Sequence, residues 1–199
     1  MFVLGLTGSL AMGKSAAARF FKDEGVPVHD ADATVHRLYE SEAVPVIEAA
    51  FPGTTAGGKV DRTKLAARVV GDPAALKRLE GIVHPMVQAA EAEFLAKVQS
   101  AGATVAVLDV PLLYETGGDQ RVDAVVVVSA PAEVQRARIL KRDGISLDKL
   151  DALLARQLPD AEKRRRADFV VDTSGEFAAT HAQLREILRA VTTMPKRRK

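Results

Sequence analysis

The segment from Gly8 to Ser15, with the sequence GSLAMGKS, constrains this chain more than any other part of it. It fits the pattern G-x-x-x-x-G-K-[ST], and it lies between an apolar run at residues 2–6 and a helix-like run at residues 16–21. Glycine lets the backbone turn tightly and approach an anion closely. Successive backbone N–H groups and the N-terminus of the following helix then bind phosphate oxygens. The sequence therefore predicts a strand, a phosphate-binding loop and a helix, in that order.

The residue types of this loop also predict what it binds. The Lys14 side chain is expected to reach the β- and γ-phosphates of a nucleotide, and the Ser15 hydroxyl is expected to bind Mg²⁺. The other loop residues expected to contact the nucleotide are Gly8, Ala11, Met12, Gly13 and Ala16. A nucleotide-binding protein is thus the first functional hypothesis.

Four further apolar runs, at residues 26–29, 105–108, 124–128 and 169–171, are predicted strands. They are apolar on both faces, which is typical of a parallel sheet covered by helices. Helical patterns separate them, so we predict the α/β fold of P-loop nucleoside-triphosphate hydrolases and kinases, with about five parallel strands. A single domain is expected, with its core at 1–32, 104–141 and 167–192, a helical substrate lobe at 33–103 and a helical lid at 142–166. Pro85 is expected to break or bend a helix of the lobe near His84.

Composition excludes several classes of protein. The net charge is +2, but the last four residues, KRRK, carry four positive charges, so the rest of the chain is slightly acidic and no nucleic-acid interface is predicted. The basic tail at 193–199 is expected to be solvated and frayed. The chain has no cysteine and no apolar run of membrane-spanning length, and a predicted strand begins at residue 2, so no signal peptide is expected. We therefore expect a soluble, cytoplasmic protein without a membrane partner, and a monomer.

Three carboxylates follow predicted strands. Asp30 and Asp32 follow the second strand, and Asp109 follows the third, so all three are expected at the edge of the sheet where ligands bind. In phosphoryl transfer one carboxylate holds Mg²⁺ or its waters, and another accepts the proton of the attacking hydroxyl. We assign Asp109 to the metal with Ser15, and we favour Asp32 as the base and Asp30 near the metal waters. Helix capping is the alternative for each, and which of Asp30 and Asp32 is the base stays open.

Basic residues of the predicted lid are candidates for stabilising the transferred phosphoryl group. Arg138 and Arg142 lie one helical turn apart and share a face. We expect Arg138 to contact the nucleotide and Arg142 to act in catalysis, because arginine neutralises phosphoryl oxygens well. The basic run 163–166 is interpreted as a solvated helical face with local acidic partners.

In order and spacing, the chain from about residue 3 to residue 175 resembles the dephospho-coenzyme A kinase family. The segments that carry the resemblance are GLTG at 5–8, GKS at 13–15, DAD at 30–32, VHP at 83–85, DVPLLYE at 109–115, Gln135 with Arg138 and Arg142, RQ at 156–157, EK at 162–163, AD at 167–168, and the residues from Asp172 to Gly175. The string PLLYE and the triplet VHP are far more specific than the phosphate loop.

The resemblance implies ATP-dependent phosphorylation of the ribose 3′-hydroxyl of dephospho-coenzyme A, with ATP and Mg²⁺ as cofactors. It also implies that the substrate is held by His84, Pro111, Leu112, Tyr114 and Glu115, although residue type alone favours packing or capping roles for Tyr114 and Glu115 and leaves His84 open. Ala11 and Met12 stand where the family usually has Gly-Ser, and Ala16 and Thr173 where it often has Thr and Asn. Ala11 matters most, because its Cβ limits the backbone, and Thr173 puts a contact beside the adenine in doubt.

Other functions fit less well. A GTP-driven switch protein needs an Asn-Lys-x-Asp motif, and this chain has no asparagine. A P-loop kinase of another small metabolite, such as a nucleoside or a sugar acid, shares the loop and the aspartates but not the PLLYE string. A nucleic-acid-binding protein would need more than the short basic tail.

Overall fold

Strands and helices alternate along the chain, and a computed structural model describes residues 1–141 and 157–197 of it. The strands are β1 (Phe2–Thr7), β2 (Val28–Asp30), β3 (Thr55–Ala56), β4 (Lys59–Val60), β5 (Val105–Asp109), β6 (Ala124–Ser129) and β7 (Phe169–Asp172). The helices are α1 (Lys14–Asp23), α2 (Ala31–Leu38), α3 (Ala43–Ala50), α4 (Arg62–Val69), α5 (Pro73–Ser100), α6 (Ala132–Leu140), α7 (Asp160–Arg166) and α8 (Phe177–Val191).

The central sheet has five parallel strands in the order β2-β5-β1-β6-β7. β1 lies in the middle, with Leu4 opposite Val107 on one side and Ala124 on the other. The carboxyl ends of the strands therefore share one edge, where the phosphate loop leaves β1. This architecture confirms the α/β fold with a parallel sheet that the apolar runs predict.

Helices cover the sheet because its strands are apolar on both faces. Every residue of β1, β5 and β6 is buried. Phe20 and Phe21 of α1 and Leu184 of α8 belong to the same packed cluster. Full burial of one such side chain contributes about 1.5–3 kcal/mol. The sheet therefore gives a rigid frame for the loop that follows β1.

The chain divides into two compact units, the core unit of residues 1–29 with 98–199 and the inserted unit Asp30–Lys97. The inserted unit contains α2, α3, α4 and most of α5, and it has its own core around Leu38, Ile47 and Leu79. It also contains the antiparallel hairpin of β3 and β4, which the prediction of a purely helical lobe missed. Gly57 and Gly58 join these strands with positive φ angles of 57° and 75°. A Gly-Gly pair at a two-residue turn is a hairpin signal, since it fits the twist of the strands.

Helix α5 runs without a break from Pro73 to Ser100, through Pro85. The expected break near His84 is therefore wrong. Proline removes one backbone hydrogen bond from a helix interior. Val83 and Val87, on either side of Pro85, pack in the core of the inserted unit and hold the helix in place there.

The described residues of the basic tail, 193–197, are exposed, as the sequence suggests, and one of them forms an ion pair. The Arg197 guanidinium lies 2.8 Å from both carboxylate oxygens of Asp168, just before β7. The rest of the run, residues 198–199, lies outside the described residues. None of the described helices combines the length and the apolar character needed to cross a lipid bilayer.

Candidate active site

The phosphate loop connects β1 to α1, which confirms the predicted strand, loop and helix. A Cβ at Gly8 would stand 2.5 Å from a methyl group of Val128 and 2.7 Å from its carbonyl oxygen, so only glycine fits there. Gly13 is the N-cap of α1, with a φ angle of 90°. Glycine has no side chain that could cap the helix, so the N–H groups of the first helical turn are left for an anion.

Ala11 has the backbone conformation of a glycine. Among the described residues it is the only one other than glycine with a positive φ angle, 61°. Holding such a residue in the left-handed region costs about 1–3 kcal/mol. Ala11 stands where the family usually has glycine, so the loop is strained at this residue. Contacts from other parts of the protein must therefore hold Ala11 in this conformation.

Two glutamine side chains form hydrogen bonds to the backbone of Leu10, the residue before Ala11. The Nε2 of Gln135, on α6, donates a hydrogen bond of 2.8 Å to the carbonyl oxygen of Leu10. The Oε1 of Gln157, shortly before α7, accepts one of 3.2 Å from the Leu10 N–H. The peptide groups on both sides of Leu10 are thus fixed by side chains from two separate elements.

Arg138 and Thr173 hold the next part of the loop. The Arg138 guanidinium donates to the Ala11 carbonyl oxygen at 3.4 Å and to both the hydroxyl and the carbonyl oxygen of Thr173. The Thr173 hydroxyl donates to the Met12 carbonyl oxygen at 2.8 Å. The Met12 side chain is buried beneath the loop, where its Sδ accepts from the N–H of Ala130 at 3.2 Å. Arg138 therefore supports the loop in this structure, and its contact with a nucleotide stays a prediction.

Lys14 and Asp109 form an ion pair beside the loop. The Nζ of Lys14 lies 2.7 Å from Oδ1 of Asp109, the last residue of β5. The Lys14 side chain is 16% exposed and that of Asp109 is 5% exposed. Ser15 is exposed at the start of α1. A cation, a carboxylate and a hydroxyl are thus gathered where the loop would hold phosphates.

The segment after β5 is tied to α7 by a second lysine. The Nζ of Lys163, whose side chain is fully buried, lies 2.9 Å from Oε1 of Glu115 and donates to the carbonyl oxygen of Pro111 at 3.3 Å. The same Glu115 oxygen accepts from the Leu158 N–H at 2.8 Å, and the Thr7 hydroxyl donates to the Pro111 carbonyl at 3.0 Å. Pro111 and Glu115, which the resemblance assigns to substrate, therefore make structural contacts here, and their contact with substrate stays a prediction.

Tyr114 lies in the same corner. Its ring is buried, and the Arg166 guanidinium stacks over it at 4.3 Å from the ring centroid. Burial raises the pKa of the Tyr114 hydroxyl to about 12, because the phenolate is poorly solvated there. Its neighbour Leu112, by contrast, is 37% exposed.

The basic run on α7 has two kinds of residue. Arg164 pairs with Asp160 at 3.0 Å and Arg165 pairs with Glu162 at 2.7 Å. Both pairs lie within α7, as expected for a solvated helical face with local acidic partners. For Lys163 that interpretation is wrong, because its side chain is enclosed by the core unit.

Candidate residues of the inserted unit lie on α2 and α5. Asp30, which ends β2, accepts a hydrogen bond of 2.9 Å from the Ala33 N–H and so caps α2. Asp32 is exposed in the first turn of the same helix. His84 is exposed on α5. The capping role that the sequence left open is thus present at Asp30.

The structure does not describe most of the predicted lid, and it gives two residues a role that the sequence did not predict. Arg142 and most of the predicted lid, residues 142–156, lie outside the described residues. Gln135 and Thr173 support the loop although the sequence assigns them no such role. Both lie far from the loop along the chain, so no local pattern could have placed them there, and for Thr173 the only signal was its departure from Asn.

Comparisons with known proteins show the family of this chain. The dephospho-CoA kinase family model matches residues 2–179. A dephospho-CoA kinase from Rhodopseudomonas palustris is 67% identical over 198 residues, and the match covers 100% of both chains. A match of this length and identity does not favour a kinase of another small metabolite.

Solved structures share the fold. A crystal structure of TT1252 from Thermus thermophilus has a TM-score of 0.87 and 33% identity, and covers 97% of this chain and 98% of that one. A dephospho-CoA kinase from Campylobacter jejuni has a TM-score of 0.65 and 24% identity, covers 95% of this chain and 96% of that one, and shows the fold alone. With its phosphate loop, its strand-end aspartates and a family match that spans most of its length, the chain belongs to the dephospho-CoA kinases, the ATP-using enzymes of the last step of coenzyme A synthesis.

Proposed function

We propose that this chain moves the γ-phosphoryl group of ATP to the ribose 3′-hydroxyl of dephospho-CoA, with Lys14 and Asp32 as its central catalytic groups. The bond between the γ-phosphorus and the bridging oxygen breaks, and its electron pair stays on ADP. A new bond joins the phosphorus to the 3′-oxygen, whose proton passes to Asp32. The observation that supports this most is the pairing of Lys14 with Asp109 beside the phosphate loop.

Lys14 supplies positive charge to the transferred group. Its Nζ is held 2.7 Å from Asp109, and part of its side chain remains exposed, so an arriving triphosphate can reach it. Negative charge spreads over the γ-phosphoryl oxygens in the transition state. A cation already fixed at that place stabilises this charge without reorganising.

The oxygen donors beside the loop fit Mg²⁺. At nucleotide sites Mg²⁺ is bound through one or two protein oxygens together with the phosphates of the substrate. Ser15 and Asp109 would hold it or its waters. When bound, Mg²⁺ neutralises part of the charge that develops on the phosphate oxygens.

Asp32 is the proposed general base because of what surrounds the two aspartates. The Asp30 carboxylate is occupied as the N-cap of α2, whereas the Asp32 carboxylate is exposed in the first turn. A base must accept a proton from an arriving hydroxyl, so an accessible carboxylate serves better than a capping one. Asp30 is proposed to bind the waters of the metal ion, and it also caps the start of α2.

Replacement of each aspartate by asparagine tests this assignment. Asp32→Asn should lower kcat by about 10²–10⁴-fold, the usual contribution of a general base. Asp30→Asn is the matched control, since asparagine also caps helices and should leave the thermal unfolding of the protein unchanged. Turnover of ATP with dephospho-CoA and its dependence on Mg²⁺ are measured for both. If only Asp30→Asn lost turnover, with Mg²⁺ dependence unchanged, the roles would be reversed.

Arg142 is the proposed catalytic arginine. Arg138 is engaged with Ala11 and Thr173, so the clamp on the γ-phosphoryl group is assigned to Arg142, four positions further along the chain. Arg138 would then contact the nucleotide from the loop side.

The substrate dephospho-CoA is proposed to contact His84, Pro111, Leu112, Tyr114 and Glu115. His84 and Leu112 are exposed and therefore open to a ligand. Tyr114 and Glu115 also contact α7, so besides the proposed contact with substrate they shape the segment that carries Leu112.

The same chemistry limits the partners. Both proposed substrates are small molecules, and part of the basic tail is neutralised by Asp168, so we propose neither a nucleic-acid nor a membrane partner. We propose that the enzyme acts as a monomer in the cytoplasm, where ATP is available.

A further inference from the structure

The strained Ala11 raises the question of what keeps it in place. Alanine has a Cβ, so the left-handed conformation that it adopts here is unfavourable for it, and an unrestrained loop would relax to another geometry. A relaxed loop would turn its N–H groups away from a common centre, and phosphate binding depends on that convergence.

The contacts of Leu10 act directly on this strain. The carbonyl oxygen that Gln135 binds belongs to the peptide group between Leu10 and Ala11, and this peptide plane sets the φ angle of Ala11. The N–H that Gln157 binds belongs to the preceding peptide group. With both planes fixed, rotation at Leu10 cannot relieve the strain at Ala11.

We propose that Gln135 and Gln157 are positioning residues that hold Ala11 in its left-handed conformation and so keep the loop ready for the phosphates of ATP. This inference rests on ATP as the nucleotide of the proposed reaction. Neither glutamine needs to touch ATP, because each acts through the backbone of Leu10. Arg138 lies one turn after Gln135 on α6, so the same face of this helix supports two consecutive carbonyl groups of the loop.

The proposal predicts a coupling between the glutamine and the strain. Gln135→Leu should raise both the KM and the Kd for ATP by about tenfold, equivalent to about 1.4 kcal/mol, while kcat changes by less than about twofold. Ala11→Gly removes the penalty of the left-handed conformation. In the Ala11→Gly background the same Gln135→Leu change should therefore raise Kd by less than about threefold.

A third glutamine offers a matched control. Gln183, on α8, also makes side-chain hydrogen bonds to the backbone, to the N–H and the carbonyl oxygen of Asp172 at 2.9 and 3.0 Å. Gln183→Leu removes these two bonds and a third, to the carbonyl oxygen of Ala179 at 3.3 Å, none of them at Leu10, and it should leave the Kd for ATP unchanged in both backgrounds. Gln157→Leu, combined with Ala11→Gly in the same way, gives a second test if Gln135→Leu does not fold.

The Kd for ATP is measured by titration calorimetry on the full chain without dephospho-CoA, so the result does not depend on which acceptor is phosphorylated. Equal effects of Gln135→Leu with and without the Ala11→Gly change would mean that the glutamine contacts ATP itself or acts only on stability, and would overturn the proposal. So would an unchanged Kd for both glutamine variants. Failure of phosphoryl transfer to dephospho-CoA, with the coupling present, would instead count against the proposed reaction alone.

Discussion

Two lysine–carboxylate pairs in the core unit involve the end of β5 and the short segment after it, and they differ in burial. Lys14 meets Asp109 at 2.7 Å with 16% of its side chain exposed, whereas Lys163 meets Glu115 at 2.9 Å and is fully buried. Their carboxylates are six positions apart in the sequence. Their chemistry is nearly the same, so burial is what separates their roles.

A cation can exchange its carboxylate for a phosphate only if the phosphate can reach it. Lys14 meets this condition, because its side chain is partly exposed beside the phosphate loop. Lys163 does not, and each of its acceptors, Glu115 and the Pro111 carbonyl, belongs to the protein. The difference teaches that an ion pair next to a site can serve the reaction or the scaffold, and that solvent exposure distinguishes the two.

The largest expected effect is on the buried pair. Lys163→Met should lower the free energy of unfolding by about 3–5 kcal/mol, because Glu115 would keep a carboxylate in a poorly solvated place without its cation. Chemical denaturation measures this loss. The double variant Lys163→Met with Glu115→Leu removes both charges and should be more stable than Lys163→Met alone. A loss of less than about 1 kcal/mol in the single variant would break the comparison, since Lys163 would then behave like a surface residue.

Lys14 should show the opposite division between activity and stability. Lys14→Ala should reduce kcat/KM by about 10²-fold or more, because a preorganised transition-state cation is lost. The melting temperature should fall by less than in Lys163→Met, because the Lys14 side chain is partly exposed and Asp109 has a further contact in the protein. Turnover with dephospho-CoA and thermal unfolding are measured on the same sample. Near-normal turnover would contradict the assignment of the phosphate loop.

The smallest expected effect is on the pH dependence of stability, through the buried hydroxyl of Tyr114. Burial raises the pKa of the Tyr114 hydroxyl to about 12, above the ordinary value of 10.0, so the folded state holds this proton after the unfolded state has lost it. Stability from this group is therefore complete below about pH 10 and is lost as the pH rises toward about 12. Among the described residues its hydroxyl has no hydrogen-bond partner, so Tyr114→Phe should be close to neutral at about pH 7.

Urea unfolding at neutral pH and at several values above about pH 10 tests this expectation. Tyr114→Phe should lose less stability than the unsubstituted protein between about pH 10 and pH 12, since phenylalanine has no proton to release. If the free energy of unfolding changed equally with pH in both proteins, the Tyr114 hydroxyl would be more solvated than it is in this structure.

Local patterns were enough for the frame of the molecule. The continuous apolar runs predicted the strands of the central sheet, and the GSLAMGKS segment predicted the turn from β1 into α1. Patterns of this kind work because the hydrogen bonds and side-chain periods that they reflect are formed between near neighbours in the chain. The β3–β4 hairpin was within their reach as well, through Gly57 and Gly58.

Patterns failed where a role depends on distant contacts. Lys163 was interpreted as one of four basic residues on α7, and only the EK pair at 162–163 in the family resemblance distinguishes it from Arg164 and Arg165. Its burial follows from a carboxylate 48 positions earlier, which the fold brings to it. Pro85 was expected to break or bend a helix, and α5 continues through it with apolar packing on both sides.

The sequence by itself determined the fold class, the phosphate loop and the kinase chemistry, because each needs particular residue types at short, fixed spacings. Only the tertiary structure decided which charged and polar groups serve that chemistry and which serve the scaffold. Gln135 supports a loop 125 positions away, Thr173 a carbonyl 161 positions away, and Asp30 the start of its own helix. Such roles depend on burial and on the direction of a hydrogen bond, and both arise only when the chain has folded.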